Sequence, residues 1–524
     1  MQFKNKYTVF VILTILSYLL FARSFSYNIQ NSSFLIASNL YQDFGAHIAN
    51  IRYFASGGTN IEVPFFAGGG LMYHFMFDLC VGIVERIGLR IDITYNLISA
   101  LSLSLLFILL YKFASKLFKN KFVGMISPVL FILNSDLSFI QVIQKYGLSL
   151  ISYYHHNTYT QGRIWDVLIE KNFLNINTFL NQRHMIFALC VFLYVINKII
   201  FEKKLSNKSI ILLAVVIGLL PFWHFAILIA LYIFLFSLFA AFKEKRQDIG
   251  KIIFLSLLLV IPQAFLIKHN LTSQLIFYPG FIIQQLSLKT FILFWIWNLG
   301  TTIPLAVYGF RKSNTFQKKV ILSFFPIFIL ANLFKFAPDI FDNHKFFNVW
   351  IMSMNVLAAW GLYNILSKKI YSKFVFAAGI ILATTSGFLN LLVVKNDVYV
   401  KVQDSYKTSL GVWVSKNINQ SEILITNAQI YDPISLLGRR TFLGRPQYIF
   451  LYGGSPNRRA EELEMVLEGR DDKKIKQLLQ TNNIKYIVIY KWSDLSNILT
   501  ANKKYFDRGF IKVYEDNTAT VYKI

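Results

Sequence analysis

The sequence predicts a mostly α membrane protein: a helical bundle of about eleven spans followed by a small C-terminal α/β domain. Three observations carry this. Of 524 residues, 55% are apolar and only 15% are charged, with 51 phenylalanines. Soluble domains carry about 25% charged residues, and a water-soluble globule of this size has nowhere to hide so much apolar surface. Stretches suited to membrane helices, which need roughly 20 mostly apolar residues, recur as far as Val394. Every short turn on one side of these stretches is basic.

The stretches are Tyr7–Ala22, Asp92–Tyr111, Phe122–Asn134, Met185–Ile200, Ile210–Pro221 and Phe225–Phe242, then Ile252–Ile267, Phe291–Phe310, Val320–Leu333, Phe347–Leu366 and Phe374–Val394. The first follows Lys4 and Lys6, and no small-x-small cleavage site comes after it, so it reads as a retained anchor. The basic turns hold Lys112, Lys116, Lys119 and Lys121; Lys198, Lys203, Lys204 and Lys208; Lys243, Lys245, Arg246 and Lys251; Arg311, Lys312, Lys318 and Lys319; and Lys368, Lys369 and Lys373. Lys and Arg collect in cytoplasmic loops, so the N-terminus is expected inside. Arg23–Ile91, Ser135–His184 and the whole tail after Val394 are then expected outside. The net charge of +26, from 53 Lys and Arg against 27 Asp and Glu, reflects these turns and not nucleic-acid binding, whose basic and aromatic motifs are missing.

Pro64–Gly88 is apolar but carries His74, Asp78, Glu85 and Arg86, which are costly inside lipid. Crossing there would invert the charge pattern of every later loop, so it reads as a surface helix. The tail 395–524 has charges of both signs. Asp404–Lys416, Arg459–Leu467 and Asp472–Gln480 pattern as helices, Glu422–Thr426 and Ile484–Tyr490 as strands, and Phe510–Tyr514 with Thr520–Lys523 as a hairpin turning at Asp516-Asn517. The expected domains are therefore 1–394, the bundle with a long first loop at 23–91, and 395–524, the α/β domain. The two cysteines, Cys80 and Cys190, lie in apolar surroundings and exclude a disulfide framework or a cysteine metal centre. No Walker A, GxGxxG, HExxH or GxSxG motif occurs, which argues against an ATP-driven pump or a nicotinamide enzyme.

Chemistry is sought among polar groups near the expected outer face. Asp43 and His47 share a helix face at i, i+4, with Arg52 beyond them. Carboxylate beside imidazole suits a general base, a metal-ligand pair or an acceptor site. Arg183 and His184, in Asn181-Gln182-Arg183-His184, stand at the mouth of a span, where a guanidinium can grip phosphate. Asp342-Asn343-His344-Lys345 offers a lysine for phosphate and two groups able to hold a divalent ion. His155-His156 with Arg163 and Asp166, and Trp223-His224 beside Pro221, read as loop and aromatic-belt residues. Leu437-Gly438-Arg439-Arg440 in the tail can meet an anionic group through Arg439.

Together these features resemble the C-type (GT-C) glycosyltransferase superfamily of multi-span membrane enzymes. The resemblance rests on a first span followed by a long outer loop with an acidic residue soon after it (Asp43). It rests also on Leu71-Met72-Tyr73-His74-Phe75, in the place of a Tyr-Pro-rich segment, on about eleven spans with polar mouths, and on an α/β tail ending in paired strands. It implies an inverting transferase that takes a sugar from a polyprenyl-phosphate donor within the lipid bilayer, with Asp43 as base and His47 its neighbour or a metal ligand. Arg183 and Lys345 then bind phosphate, and Arg52, His74, His184, His344 and Arg439 fall among the substrate-binding residues. The acceptor and any divalent cation stay open; the Trp-Trp-Asp acceptor motif of oligosaccharyltransferases is absent. Two other readings are a transporter or lipid flippase, which would need a polar path through several spans, and a non-catalytic scaffold.

Overall fold

The computed structural model describes residues 6–147, 163–164, 167–268, 275–366, 369–492 and 501–524. Lys4, His155, His156, Asp166, Lys368 and the Arg163 side chain lie outside the described residues. The chain forms two compact units: Met1–Ser24 with Leu97–Gln263 and Gln274–Val398, and Phe25–Asn96 with Ala264–Ser273 and Tyr399–Ile524.

The first unit is helical, and each apolar stretch read from the sequence falls on a helix. Among the described residues, seven helices are long and apolar enough to cross a membrane: Tyr7–Ser24, Ile91–Phe118, Arg183–Phe201, Lys243–Ile267, Thr315–Leu333, Ile340–Ile365 and Ile370–Asn396. The stretch read as one span over Phe291–Phe310 is two helices, Leu288–Leu299 and Thr302–Lys312, bent by 91°. The bend falls at Gly300, whose φ of +51° suits a residue without Cβ. Three further apolar helices, Lys121–Ile132, Asn207–Trp223 and Phe225–Ala241, are shorter.

Side-chain amides tie the segment before Arg183 to neighbouring helices. Asn134 Nδ2 donates to the Phe173 carbonyl at 2.7 Å, Asn175 Nδ2 to the Phe131 carbonyl at 2.6 Å, and Asn348 Nδ2 to Asn175 Oδ1 at 3.2 Å. Buried amides persist only when paired, so these bonds fix where the helix Arg183–Phe201 begins. The closest helix contact is between Thr302–Lys312 and His344–Ile365, where a Cβ on Gly309 would strike the Leu357 carbonyl and one on Gly361 the Leu305 carbonyl. Small residues let backbones meet where no hydrophobic effect separates helix from lipid.

In the second unit, Phe25–Asn28, Ser33–Ala37 and Tyr399–Gln403 form an antiparallel sheet, with Phe25 opposite Ile36 and Ser33 opposite Gln403. The helix Tyr41–Ala55 follows. Pro64–Gly88 contains the helix Met76–Arg86, whose 11 residues are too few to span a bilayer. The tail builds a five-stranded sheet in the order Ile511–Glu515, Ala519–Lys523, Ile484–Tyr490, Ile423–Ile425, Arg440–Thr441. Ile484–Tyr490 lies at its centre, parallel to Ile423–Ile425 and antiparallel to Ala519–Lys523. Leu410, Val414, Ile434, Val488 and Val521 pack into one core. The helices read at 404–416, 459–467 and 472–480 appear as Ser409–Asn417, Asn457–Glu468 and Asp472–Thr481. At the hairpin, Asp516 Oδ1 accepts from the amides of Thr518 at 2.7 Å and Ala519 at 2.8 Å.

Gly361→Val should destabilise the bundle by about 1–3 kcal/mol, because the added atoms meet backbone that cannot rotate away. Unfolding in mixed micelles, with the exposed Tyr363→Val as control, measures it; equal midpoints refute the close approach.

Candidate active site

The helix Tyr41–Ala55 is buried all round from Phe44 to Phe54 and leaves Asp43 exposed in its first turn. An acid there meets the positive end of the helix dipole. Two buried tail tyrosines hold this turn: the Tyr431 hydroxyl donates to the Tyr41 carbonyl, and the Tyr448 hydroxyl donates to the Gln42 carbonyl at 2.7 Å. Burial, followed by neighbouring tyrosines and Asp43, pushes the Tyr431 phenol well above its ordinary value, so it stays a donor.

His47 lies one turn on and is buried, with Nδ1 3.0 and 3.1 Å from the two oxygens of Asp78. Asn50 Nδ2 also donates to Asp78 Oδ2, at 3.1 Å. The carboxylate accepts a ring hydrogen from Nδ1. Asp78 is a candidate site residue that sequence reasoning did not single out. Its signal was an acid inside an apolar stretch, which is affordable only when paired. Tyr73 stacks on Tyr452 at 4.0 Å with a 2° interplanar angle, and the His74 ring lies 3.6 Å from Tyr73.

Arg52 and Arg439, read as substrate-binding, sit within the packing of this unit. Arg52 is 3% exposed, with Nε 2.7 Å from Glu85, an η-nitrogen 3.4 Å from Asp404, and its guanidinium 4.1 Å from the Tyr406 ring centre. Arg439 is buried and donates to Gln420 Oε1 at 2.8 Å. Next to it, Arg440 pairs with Glu62 at 2.6 Å.

In the first unit, the beginnings of three helices, Arg183–Phe201, Phe225–Ala241 and His344–Ile365, carry the remaining groups. The His184 ring stacks 5.2 Å from His224, and His344 Nε2 is 3.5 Å from Gln182 Nε2. Lys345 reaches Asp342 at 2.7 Å. Arg183 is fully buried, donating to Ser24 Oγ at 2.8 Å with its guanidinium 4.8 Å from the Phe21 ring centre. Thus His184 and His344 come with Lys345 to one polar mouth, while Arg183 turns into the bundle. His224, read as a belt residue, caps Phe225–Ala241 by accepting from the Ile227 amide at 3.4 Å. Because backbone amides point out of helix beginnings, such a mouth suits an anion.

No family model and no curated protein matches the sequence. Solved structures do match the fold. The archaeal oligosaccharyltransferase AglB from Archaeoglobus fulgidus, in complex with an inhibitory peptide and a dolichol-phosphate, aligns with a TM-score of 0.52 at 12% identity, covering 94% of this chain and 70% of that one. ArnT from Cupriavidus metallidurans bound to undecaprenyl phosphate aligns with a TM-score of 0.51 at 10% identity, over 98% of this chain and 97% of that one. The arabinofuranosyltransferase AftD from mycobacteria aligns with a TM-score of 0.57 at 12% identity, over 99% of this chain and 42% of that one. The chain has the GT-C fold.

Glu85 makes the second unit pH-sensitive. Burial, opposed by Arg52, raises its carboxyl from 4.5 to about 7. A raised acid favours its protonated form in the fold, so this contribution is full below pH 4.5 and is lost as pH rises to about 7. The melting temperature of the wild type minus that of Glu85→Gln should therefore fall between pH 5 and 8, by the equivalent of on the order of 2–3 kcal/mol. A difference that stays flat, or rises with pH, refutes the assignment.

Proposed function

We propose that the protein is an inverting glycosyltransferase that moves a sugar from a polyprenyl-phosphate-linked donor to an acceptor at the outer membrane face. One observation carries the reading. An exposed carboxylate, Asp43, stands on the first helical turn of the second unit, in a chain that shares its fold along nearly its whole length with ArnT, whose structure holds undecaprenyl phosphate.

Asp43 takes the acceptor hydroxyl's proton as that oxygen attacks the anomeric carbon opposite the phosphate. The bond from that carbon to the phosphate oxygen breaks, and polyprenyl phosphate leaves with the electron pair. One displacement inverts the anomeric centre, and general-base assistance of this kind is worth roughly 10²–10⁴-fold. Asp78 holds the His47 ring in place on the helix that carries Asp43. On the first unit, Lys345 is the cation suited to a phosphate, with the His184 and His344 rings as hydrogen-bonding groups beside it. An apolar groove of about 260 Å³, lined by Leu16, Leu20, Leu103, Phe107, Val129 and Leu391, suits isoprenoid units. The N-terminus is assigned to the cytoplasm and the tail to the outside, on the strength of the basic turns.

The test is a panel of polyprenyl-phosphate hexoses and pentoses, following release or transfer of the sugar by purified protein. Asp43→Asn should lower kcat on the order of 10²-fold or more with little change in donor KM; undiminished turnover removes the base. Lys345→Ala should raise donor KM on the order of tenfold, the loss of one charge-assisted hydrogen bond. Movement of intact lipid-linked sugar across liposomes without bond cleavage supports a flippase instead. For orientation, a single cysteine placed at Lys474, with Cys80 and Cys190 replaced by serine, should react with an impermeant maleimide in intact cells.

A further inference from the structure

We propose that Tyr431 and Tyr448 are positioning residues for Asp43, holding the turn that bears it through their hydroxyl groups. The inference rests on the reading of Asp43 as the base. The hydroxyls donate to the carbonyls of Tyr41 and Gln42, the two residues immediately before Asp43. Those carbonyls also face the amides one helical turn ahead, so each phenol adds a second donor and fixes the direction of the peptide plane.

The approach is close. A Cβ on Gly45 would strike the Ile430 carbonyl and come within 2.7 Å of the Tyr448 hydroxyl, so the tail reaches this turn because residue 45 has no side chain. The Tyr41 and Tyr431 rings pack at 4.8 Å between centres, which holds the first phenol from its flank. Leu40, before the helix, offers no side-chain cap. The short turn Ser38–Leu40 leads into it, with the Tyr41 amide donating to the Ser38 carbonyl. The tail phenols hold the turn by its carbonyls, where a capping side chain would hold amides. Asp43 is exposed in that turn, so where the turn points decides where its carboxylate reaches. Catalysis tolerates little drift in that direction, since a base must stand within hydrogen-bond reach of the proton it removes.

The experiment uses the full-length protein in nanodiscs, the same panel of polyprenyl-phosphate sugars, and Tyr431→Phe, Tyr448→Phe and the double variant, each with and without Asp43→Asn. Expected are a fall in kcat of about tenfold for the double variant, a donor KM within about twofold of wild type, and an unchanged melting temperature. In the Asp43→Asn background the same changes should leave the residual rate unmoved, because they act only through that carboxylate. A fall in kcat that persists without Asp43, or no fall at all while Asp43→Asn abolishes transfer, overturns positioning and spares the base. Full turnover by Asp43→Asn overturns both. Should the double variant fold poorly, the single Tyr448→Phe is read by hydrogen exchange: faster exchange of amides 41–46 alone supports the clamp, and unchanged exchange there refutes it.

Discussion

The second unit depends on a buried cation. Arg52 has lost its water, and a guanidinium in that position is tolerable only where acidic side chains accept its hydrogen bonds. Its two carboxylates come from different places: Glu85 from the helix Met76–Arg86, and Asp404 from the turn after the strand Tyr399–Gln403. Three segments scattered along the chain must therefore arrive together. Removing one member of such a group costs roughly 3–5 kcal/mol, because the remaining charge stays buried. Gly438 reinforces the arrangement. A Cβ there would collide with the backbone between Arg52 and Tyr53, so tail and helix touch main chain to main chain. Gly45 allows a similar approach near the start of the same helix. The helix that carries Asp43 and His47 is thus gripped by the tail at both ends, and the orientation of the site is a consequence of the fold's charge balance.

Much of the fold was legible in the sequence because its signals are local. An apolar run is apolar whatever it packs against, and each of the stretches from Tyr7 to Val394 became a helix. The strand Ile484–Tyr490 and the closing hairpin announce themselves by β-branched residues and an Asp-Asn turn. Less legible was anything whose cause lies far off in the chain. Phe25–Asn28 and Ser33–Ala37 are too short to read as strands, and one of their neighbours is Tyr399–Gln403. The break at Gly300 was hidden too, because a single glycine in an apolar stretch is compatible with an unbroken helix as well as with a sharp bend.

The candidate site divides along the same line. Asp43 and His47 were found because helical spacing is a property of neighbours. Asp78, which holds the His47 ring, comes from a separate helix and no local pattern links the two. Arg52 and Arg439 attracted notice as charges near a membrane, yet each is spent on internal partners. Sequence shows that a charge is present; only packing shows whether it still has hydrogen bonds to give.

The basic residues also do more than orient the chain. Lys245 donates to the Ile199 and Glu202 carbonyls at 2.7 and 2.6 Å, and Arg246 to those of Phe239 and Ala240 at 2.9 and 3.2 Å. These are the last turns of Arg183–Phe201 and Phe225–Ala241, where carbonyls lack helical partners and the dipole is negative. The same two helices begin at His184 and His224, whose rings stack, so their positive ends lie together at the polar mouth. Cations at the carbonyl ends reinforce both helix dipoles in the same sense. An anion at the mouth then gains from both helix dipoles. It must also compete with Asp342 for Lys345, which makes the lysine selective for a ligand carrying more negative charge than one carboxylate. In the proposed transfer, a phosphate leaving group would gather that charge as its bond to the sugar breaks, so the interaction would strengthen along the reaction coordinate, as transition-state stabilisation requires.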